Sequence, residues 1–209
     1  FVGLFVRAWL YVRGLDWRLD RVAYGYHTDR SIRGAAVSIG KWLIPLGTAG
    51  WRAQPVATLA FFLLHIGAVL LPLFLLGHTI ILENALGISL PALPMGIADI
   101  LCMASLAGLA LLALRRLFSP VLRQLNTWQD WFLLILTFLP FLTGFMARLD
   151  MPSYDSWIFW HVVTGELLLV LAPFTKLAHI VLFFMSRAQL GMDFAIKRGG
   201  DTRGGAFPW

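Results

Sequence analysis

Residues 160–179, WHVVTGELLLVLAPFTKLAH, decide how this chain is read. The stretch has the length and apolar character of a membrane span, yet it carries an imidazole near each end, His161 and His179, with Glu166 and Lys176 between them. An acidic or basic side chain near the centre of a bilayer costs about 2.5–3.5 kcal/mol on insertion scales, so such residues mark function in a span.

The rest of the chain agrees with a membrane setting. Of its 209 residues 59% are hydrophobic and 13% charged, and the mean hydropathy is +0.76. These values lie outside the range of soluble globular domains. The polar stretches between apolar runs are short, so a single domain over 1–209 is expected. The net charge of +6 follows from membrane topology and implies no nucleic-acid partner. The single cysteine, Cys102, excludes a disulfide framework and a cysteine-ligated metal site within the chain. Histidine is left as the metal ligand.

Apolar runs at about 55–82, 95–114, 130–147 and 157–185 each reach the roughly 18–20 residues that cross the hydrocarbon as a helix. The stretch FVGLFVRAWLY at the start reads as the end of a longer helix, which makes five with the span at about 1–12. Helices satisfy their own backbone in lipid, and these runs lack the alternation of barrel strands. The expected fold is therefore an all-α membrane protein, a bundle of five transmembrane helices. Seven Lys or Arg lie in 13–54, three in 115–127 and four in 186–209, against Arg148 alone in 83–96 and 148–156. The positive-inside rule makes the first group cytoplasmic, so the second helix runs outward and the fifth inward. Trp128, Trp131, Trp157 and Trp160 fit interfacial belts. The expected location is a bacterial or archaeal cytoplasmic (inner) membrane, with lipid around a multi-pass chain. The glycine-rich end RGGDTRGGAFPW reads as a tail.

Four of the five histidines fall in two antiparallel spans: His65 and His78 in the second, His161 and His179 in the fifth. His78 and His161 come to the outer half, His65 and His179 to the inner. The 18-residue spacing puts His161 and His179 on one face of the fifth helix, about 27 Å apart along its axis. His65 and His78 would lie roughly 140° apart on an unkinked helix, but Pro72 between them allows local unwinding. Gly67, Gly77 and Gly165 flank these histidines and leave room for something flat. Neutral imidazole is a good axial ligand, and helical bundles build cofactor sites from facing side chains, which points to two haem b groups held by histidine pairs. Lys176, three residues before His179, then pairs with a propionate or reaches the headgroups.

The combined pattern LLHIG at 63–67, GH at 77–78, LRRLFSP at 114–120, HVVTG at 161–165 and APFTKLAH at 172–179 resembles the gamma subunit of respiratory nitrate reductase, a membrane dihaem cytochrome b. It is more similar still to the cytochrome b subunits of the high-molecular-weight cytochrome and related transmembrane redox complexes of sulfate-reducing bacteria. The resemblance implies an inner haem iron on His65 and His179 and an outer one on His78 and His161. It implies electron transfer between a quinone pool, or a periplasmic multihaem cytochrome c, and a cytoplasmic iron–sulfur subunit, with other membrane subunits as neighbours. Two departures favour the sulfate-reducer relatives: the spacing from His65 to His78 is longer than in nitrate reductase by nearly one helical turn, and LPALPMGIAD at 90–99 carries no base where that enzyme has a quinol-site lysine.

Glu83, Asp99 and Glu166 are the candidate proton acceptors for a menaquinone site on the outer side. The competing readings of the first two are interfacial carboxylates near helix ends, and of Glu166 a bond to a neighbouring helix or to Thr164. Arg115 and Arg116 read as part of the cytoplasmic basic belt, Cys102 as packing and His27 as surface. The long 13–54 connection, with Trp17, Trp42 and Trp51 among its arginines, reads as a docking surface for the iron–sulfur subunit or as a segment held by anionic lipid. The chain shows no nucleophile or nucleotide motif, which makes it an electron-transfer subunit of an oxidoreductase complex. Two other classes compete: a small transporter or proton channel with a His/Glu relay, and a structural anchor with histidines as interhelical glue. The transporter reading lacks the internal repeat it calls for.

Overall fold

The computed structural model describes residues 2–15 and 27–197, and among these every regular element is helical. Trp17, Arg18, Arg21 and the 198–209 tail lie outside the described residues. Four helices are long and apolar enough to cross a membrane: Pro55–Phe74, Met95–Phe118, Trp128–Arg148 and Tyr154–Phe174. The protein is a multi-pass, all-helical membrane protein. The span expected at 1–12 is the twelve-residue helix α1, Val2–Arg13. Where the sequence leads one to expect a single domain, the chain divides into two compact units, 56–168 and 1–55 with 169–209.

The first unit contains most of the apolar mass. Helix α4 (Pro55–Phe74) is followed by α5 (Leu76–Leu86), α6 (Met95–Phe118), the short α7 (Pro120–Leu125), α8 (Trp128–Arg148) and α9 (Tyr154–Leu171). Small residues bring α4 and α6 together. A Cβ on Gly67 would collide with Ser105 Oγ, and one on Gly108 would lie 2.7 Å from the Ala60 carbonyl oxygen. Ser105, fully buried, donates to the Leu101 carbonyl at 2.9 Å. Such close backbone approach is how helices associate in lipid, where no hydrophobic force separates helix from tail. At the start of α8, the Thr127 hydroxyl and backbone N–H both donate to Asp130 Oδ2. Arg116 ties the end of α6 to this corner, donating to Asn126 Oδ1 at 2.7 Å and lying 3.9 Å from Asp130.

The span expected at 55–82 is two helices. Pro72 has no N–H for the carbonyl four residues back, and the chain leaves the helix three residues later, at Leu75 (φ −70°, ψ 134°). The Phe74 carbonyl, released at the break, accepts from the Leu93 N–H at 2.8 Å. The helix restarts with Thr79 N–H donating to the Leu75 carbonyl. The 140° offset between His65 and His78 therefore does not apply.

The second unit is built on α2 (Thr28–Leu43) and α10 (His179–Lys197), with α1 and the short α3 (Ala49–Ala53). Gly34 of α2 and Gly191 of α10 meet backbone to backbone, so that a Cβ on either would strike the other's carbonyl. Ser38, fully buried, and Ala195 complete this small-residue seam. Tyr11 of α1 donates its hydroxyl to Gln189. The expected 13–54 connection thus contains a 16-residue helix with a packed face.

The continuous helix expected over 157–185 is also interrupted, which corrects the placement of His161 and His179 on one face 27 Å apart. After Leu171 the chain makes a 3-10 turn at Ala172–Phe174, Thr175 is extended (φ −124°, ψ −175°), and a second 3-10 turn at Lys176–Ala178 leads into α10. Pro173 removes a backbone donor. Thr175 holds the break by donating to the Leu171 carbonyl at 2.9 Å while accepting from the Leu177 N–H at 3.3 Å. Gly3 of α1 sits against the break, where a Cβ would come 2.7 Å from Pro173.

Candidate functional site

His78 of α5 and His161 of α9 come together in the 56–168 unit. Their imidazole rings lie 5.9 Å apart between centroids and 7° from parallel. The break at Leu75 makes this arrangement for His78: its Nδ1 lies 3.0 Å from the Leu71 carbonyl oxygen, seven residues back across the interruption. His161 is held from a neighbouring helix, its Nδ1 lying 2.9 Å from the Pro140 carbonyl oxygen of α8. Gly144 gives the ring its place. A Cβ there would stand 2.8 Å from His161 Cε1 and 2.9 Å from Nδ1.

The other two membrane histidines repeat the hydrogen bond. His65 Nδ1 lies 2.8 Å from the Phe61 carbonyl oxygen, and Phe61 stacks on its ring at 3.8 Å. His179 Nδ1 lies 2.9 Å from the Lys176 carbonyl oxygen, made available by the 3-10 turn before α10. A carbonyl only accepts, so each Nδ1 carries a proton, and in the neutral ring the lone pair is then on Nε2. In a histidine that binds a metal through Nε2, a bond of this kind from Nδ1 to a carbonyl orients the ring. His65 belongs to the 56–168 unit and His179 to the other.

The His78–His161 spacing tests what the pair accommodates. Two imidazoles on opposite sides of one metal ion, with bonds of about 2 Å and about 1 Å from nitrogen to ring centre, put their centroids roughly 6 Å apart. The described residues contain no group of three or more His, Cys, Asp or Glu fit to hold a metal ion. A bare cation would find two protein ligands here, too few for a structural tetrahedral site. Two protein ligands are the number needed by a metal whose remaining positions are filled by its own macrocycle.

The other expected site residues are distributed unevenly. A Cβ on Gly77 or Gly165 would meet nothing within 4 Å, whereas Gly67 is filled by Ser105 and serves helix packing. Asp99 is the acidic partner of Arg148, at 3.2 Å. Glu83 is exposed near the end of α5, and Glu166 is exposed on α9, five residues and so about 140° round the helix from His161. Glu166 makes no bond to Thr164, whose hydroxyl donates instead to the Trp160 carbonyl at 2.6 Å. Lys176 is exposed on its turn. Cys102 is half-buried with its thiol toward the Phe141 carbonyl. Arg115 and Arg116 lie in the last turn of α6, and the His27 carbonyl accepts from Ser31 at the start of α2.

Gly144 and the Pro140 and Leu71 carbonyls are the site elements that sequence reasoning missed. The spacing PFLTG at 140–144, a proline and a glycine four apart in an apolar run, is the signal that marks one helix face as open to a neighbour's side chain.

A curated protein of Nitratidesulfovibrio vulgaris (strain Hildenborough), described simply as "Protein", is 60% identical over 209 residues, all of this chain and 92% of that protein. This chain belongs to the same family. The match runs along the whole of this chain, through every helix described above. No family model matches the chain, and no solved structure matches it.

Proposed function

We propose that the chain is a dihaem cytochrome b subunit of a respiratory complex, a five-span membrane anchor that carries electrons across the membrane. The observation that carries this reading is the near-parallel His78–His161 pair, with both Nδ1 atoms committed to carbonyls and both Nε2 atoms left for a metal. His78 and His161 hold the outer haem, and His65 and His179, assigned by the resemblance, hold the inner one. Bound haem supplies one-electron redox chemistry. The chain's own contribution is orientation: the Leu71, Pro140, Phe61 and Lys176 carbonyls fix the tautomer and direction of each ring. The apolar helices keep water from the metal, and Lys176 offers a cation to a propionate.

Electrons exchange with a quinone pool or a periplasmic multihaem cytochrome c on the outer side and with an iron–sulfur subunit on the cytoplasmic side. Glu83 and Glu166, whose carboxylates are unpaired among the described residues, are the acceptors for the protons of a menaquinol, and Asp99 is the third candidate, engaged with Arg148. The exposed arginines of α2 face the cytoplasmic partner. The visible spectrum of the purified protein tests the reading. Red protein with the split absorption of reduced low-spin b-type haem supports it, and a colourless preparation from haem-replete cells overturns it.

A further inference from the structure

The 1–55 and 169–209 unit contains a cavity of about 320 Å³ with no histidine in its lining, bordered by Trp42, Thr48, Ala49, Arg187, Leu190 and Phe194. Arg187 is its only cation. The guanidinium carbon lies 4.8 Å above the Trp42 ring, and that indole is braced edge-on by Trp51 at 5.2 Å and Phe183 at 6.4 Å. Trp51 in turn donates its Nε1–H to the Trp42 carbonyl at 3.3 Å. The cation is therefore held in place. Among the described residues no carboxylate forms an ion pair with it, and the Tyr11 hydroxyl is close enough to act on its charge. Partial burial pulls the Arg187 pKa down from its ordinary value, but a guanidinium stays charged in proteins. The structure thus keeps a partly desolvated positive charge, stacked on Trp42, that no carboxylate of the described residues neutralises.

Its place along the chain says what neutralises it. Arg187 follows the apolar run HIVLFFM at 179–185 by two residues, where hydrocarbon gives way to the cytoplasmic interface under the positive-inside assignment. The remaining walls are mostly apolar, indole, leucine, phenylalanine and Ala49, beside Thr48, whose hydroxyl accepts from the Trp51 backbone N–H. A small soluble anion has no use for them. An amphiphile with a negatively charged head and an apolar body uses both, and basic pockets between helices on the cytoplasmic side are where anionic phospholipid heads bind. A planar guanidinium with its fork of donors matches a phosphate.

We propose that this cavity is a binding site for the phosphate head of an anionic phospholipid of the inner leaflet, with Arg187 as the phosphate ligand and Trp42 as its support. The site does not depend on the haem reading.

Delipidated wild-type protein is titrated with phosphatidylglycerol, phosphatidylcholine and glycerol phosphate, and bound lipid is counted by native mass spectrometry. Phosphatidylglycerol is expected to be retained at least tenfold more strongly than phosphatidylcholine, and glycerol phosphate not to compete. Arg187→Gln should erase the preference, while Arg123→Gln, removing a cation of α7 in the other unit, should keep it. Ala49→Glu, which puts a negative charge at the cavity wall and leaves Arg187 untouched, should also erase it and covers the case of a misfolded Arg187 variant. Equal retention of the two lipids by wild type, or an undiminished preference in both Arg187→Gln and Ala49→Glu, would overturn the proposal. Competition by glycerol phosphate at equal concentration would reassign the cavity to a soluble phosphate and overturn the lipid claim.

Discussion

Gly144→Ala places one methyl group against His161, whose ring atoms are the nearest it would meet. The added carbon would stand 2.8 Å from Cε1, whereas ordinary contact begins at 3.4 Å, so the ring must retreat by at least 0.6 Å, the difference of the two. Gly144 and the Pro140 carbonyl lie one turn apart on the same helix, so retreat from one is retreat from the other. The Nδ1 to Pro140 distance, now 2.9 Å, then passes the roughly 3.2 Å limit of a sound hydrogen bond. Losing that bond costs about 1 kcal/mol, while replacing glycine by alanine inside a helix returns about 1 kcal/mol. Overall stability should therefore change little. Ligation should change much more, because loss of a ligand's outer-shell partner typically costs 10–100-fold in metal affinity. The assay is haem retention against a scavenging apoprotein, read with the low-spin resonance of the outer haem and with thermal unfolding. The variant should keep its fold and one haem while releasing the outer one at least tenfold faster. Unaltered retention and resonance in a folded Gly144→Ala protein would refute the claim that Gly144 and Pro140 set the His161 ring.

Gly191→Val forces a branched side chain into the Gly34 carbonyl and should destabilise the α2–α10 pair by about 1–3 kcal/mol, seen as a lower melting temperature by helical dichroism. In quinol-driven haem reduction with a menaquinol analogue, removing the working proton acceptor should slow electron entry by about 10²-fold. That effect is expected from Glu83→Gln or Glu166→Gln and not from Asp99→Asn, which should cost at most about 1 kcal/mol of stability through the lost Arg148 pair. Equal rates in all three variants would remove these carboxylates from the quinol step. Arg33→Glu, on the exposed side of α2, should lower recovery of the cytoplasmic iron–sulfur subunit with the membrane chain; full recovery would direct that surface to lipid.

The spans were legible because hydrocarbon selects on length and apolarity alone: the runs at 95–114 and 130–147 became Met95–Phe118 and Trp128–Arg148. The interruptions were legible only as weak points. Pro72 and Pro173 announce a missing donor, but the position of the break depends on what satisfies the freed carbonyls. For Pro72 that is Leu93, from the next connection, and the break falls at Leu75. For Pro173 it is Thr175, and the result is two 3-10 turns that end the argument from a continuous helix. His78 and His161 were chosen as partners from the antiparallel run of two helices, and they do meet, through a kink that no azimuth calculation on a straight helix contains. The role of Gly144 could not be read from its own helix, because the side chain that needs the space comes from another. The 28–43 helix was hidden by composition: its apolar stripe is interleaved with glycine, serine and arginine, and its packing is carried by residues too small to register as hydrophobic.

The most direct test of the central claim is the number of low-spin haems per chain in His78→Ala beside wild type, counted by pyridine haemochrome and magnetic circular dichroism on the intact complex. Two bis-histidine haems in wild type, falling to one in His78→Ala with the inner haem unchanged, is the predicted result. A wild-type chain without haem, or a His78→Ala chain that still holds two low-spin haems, would contradict it.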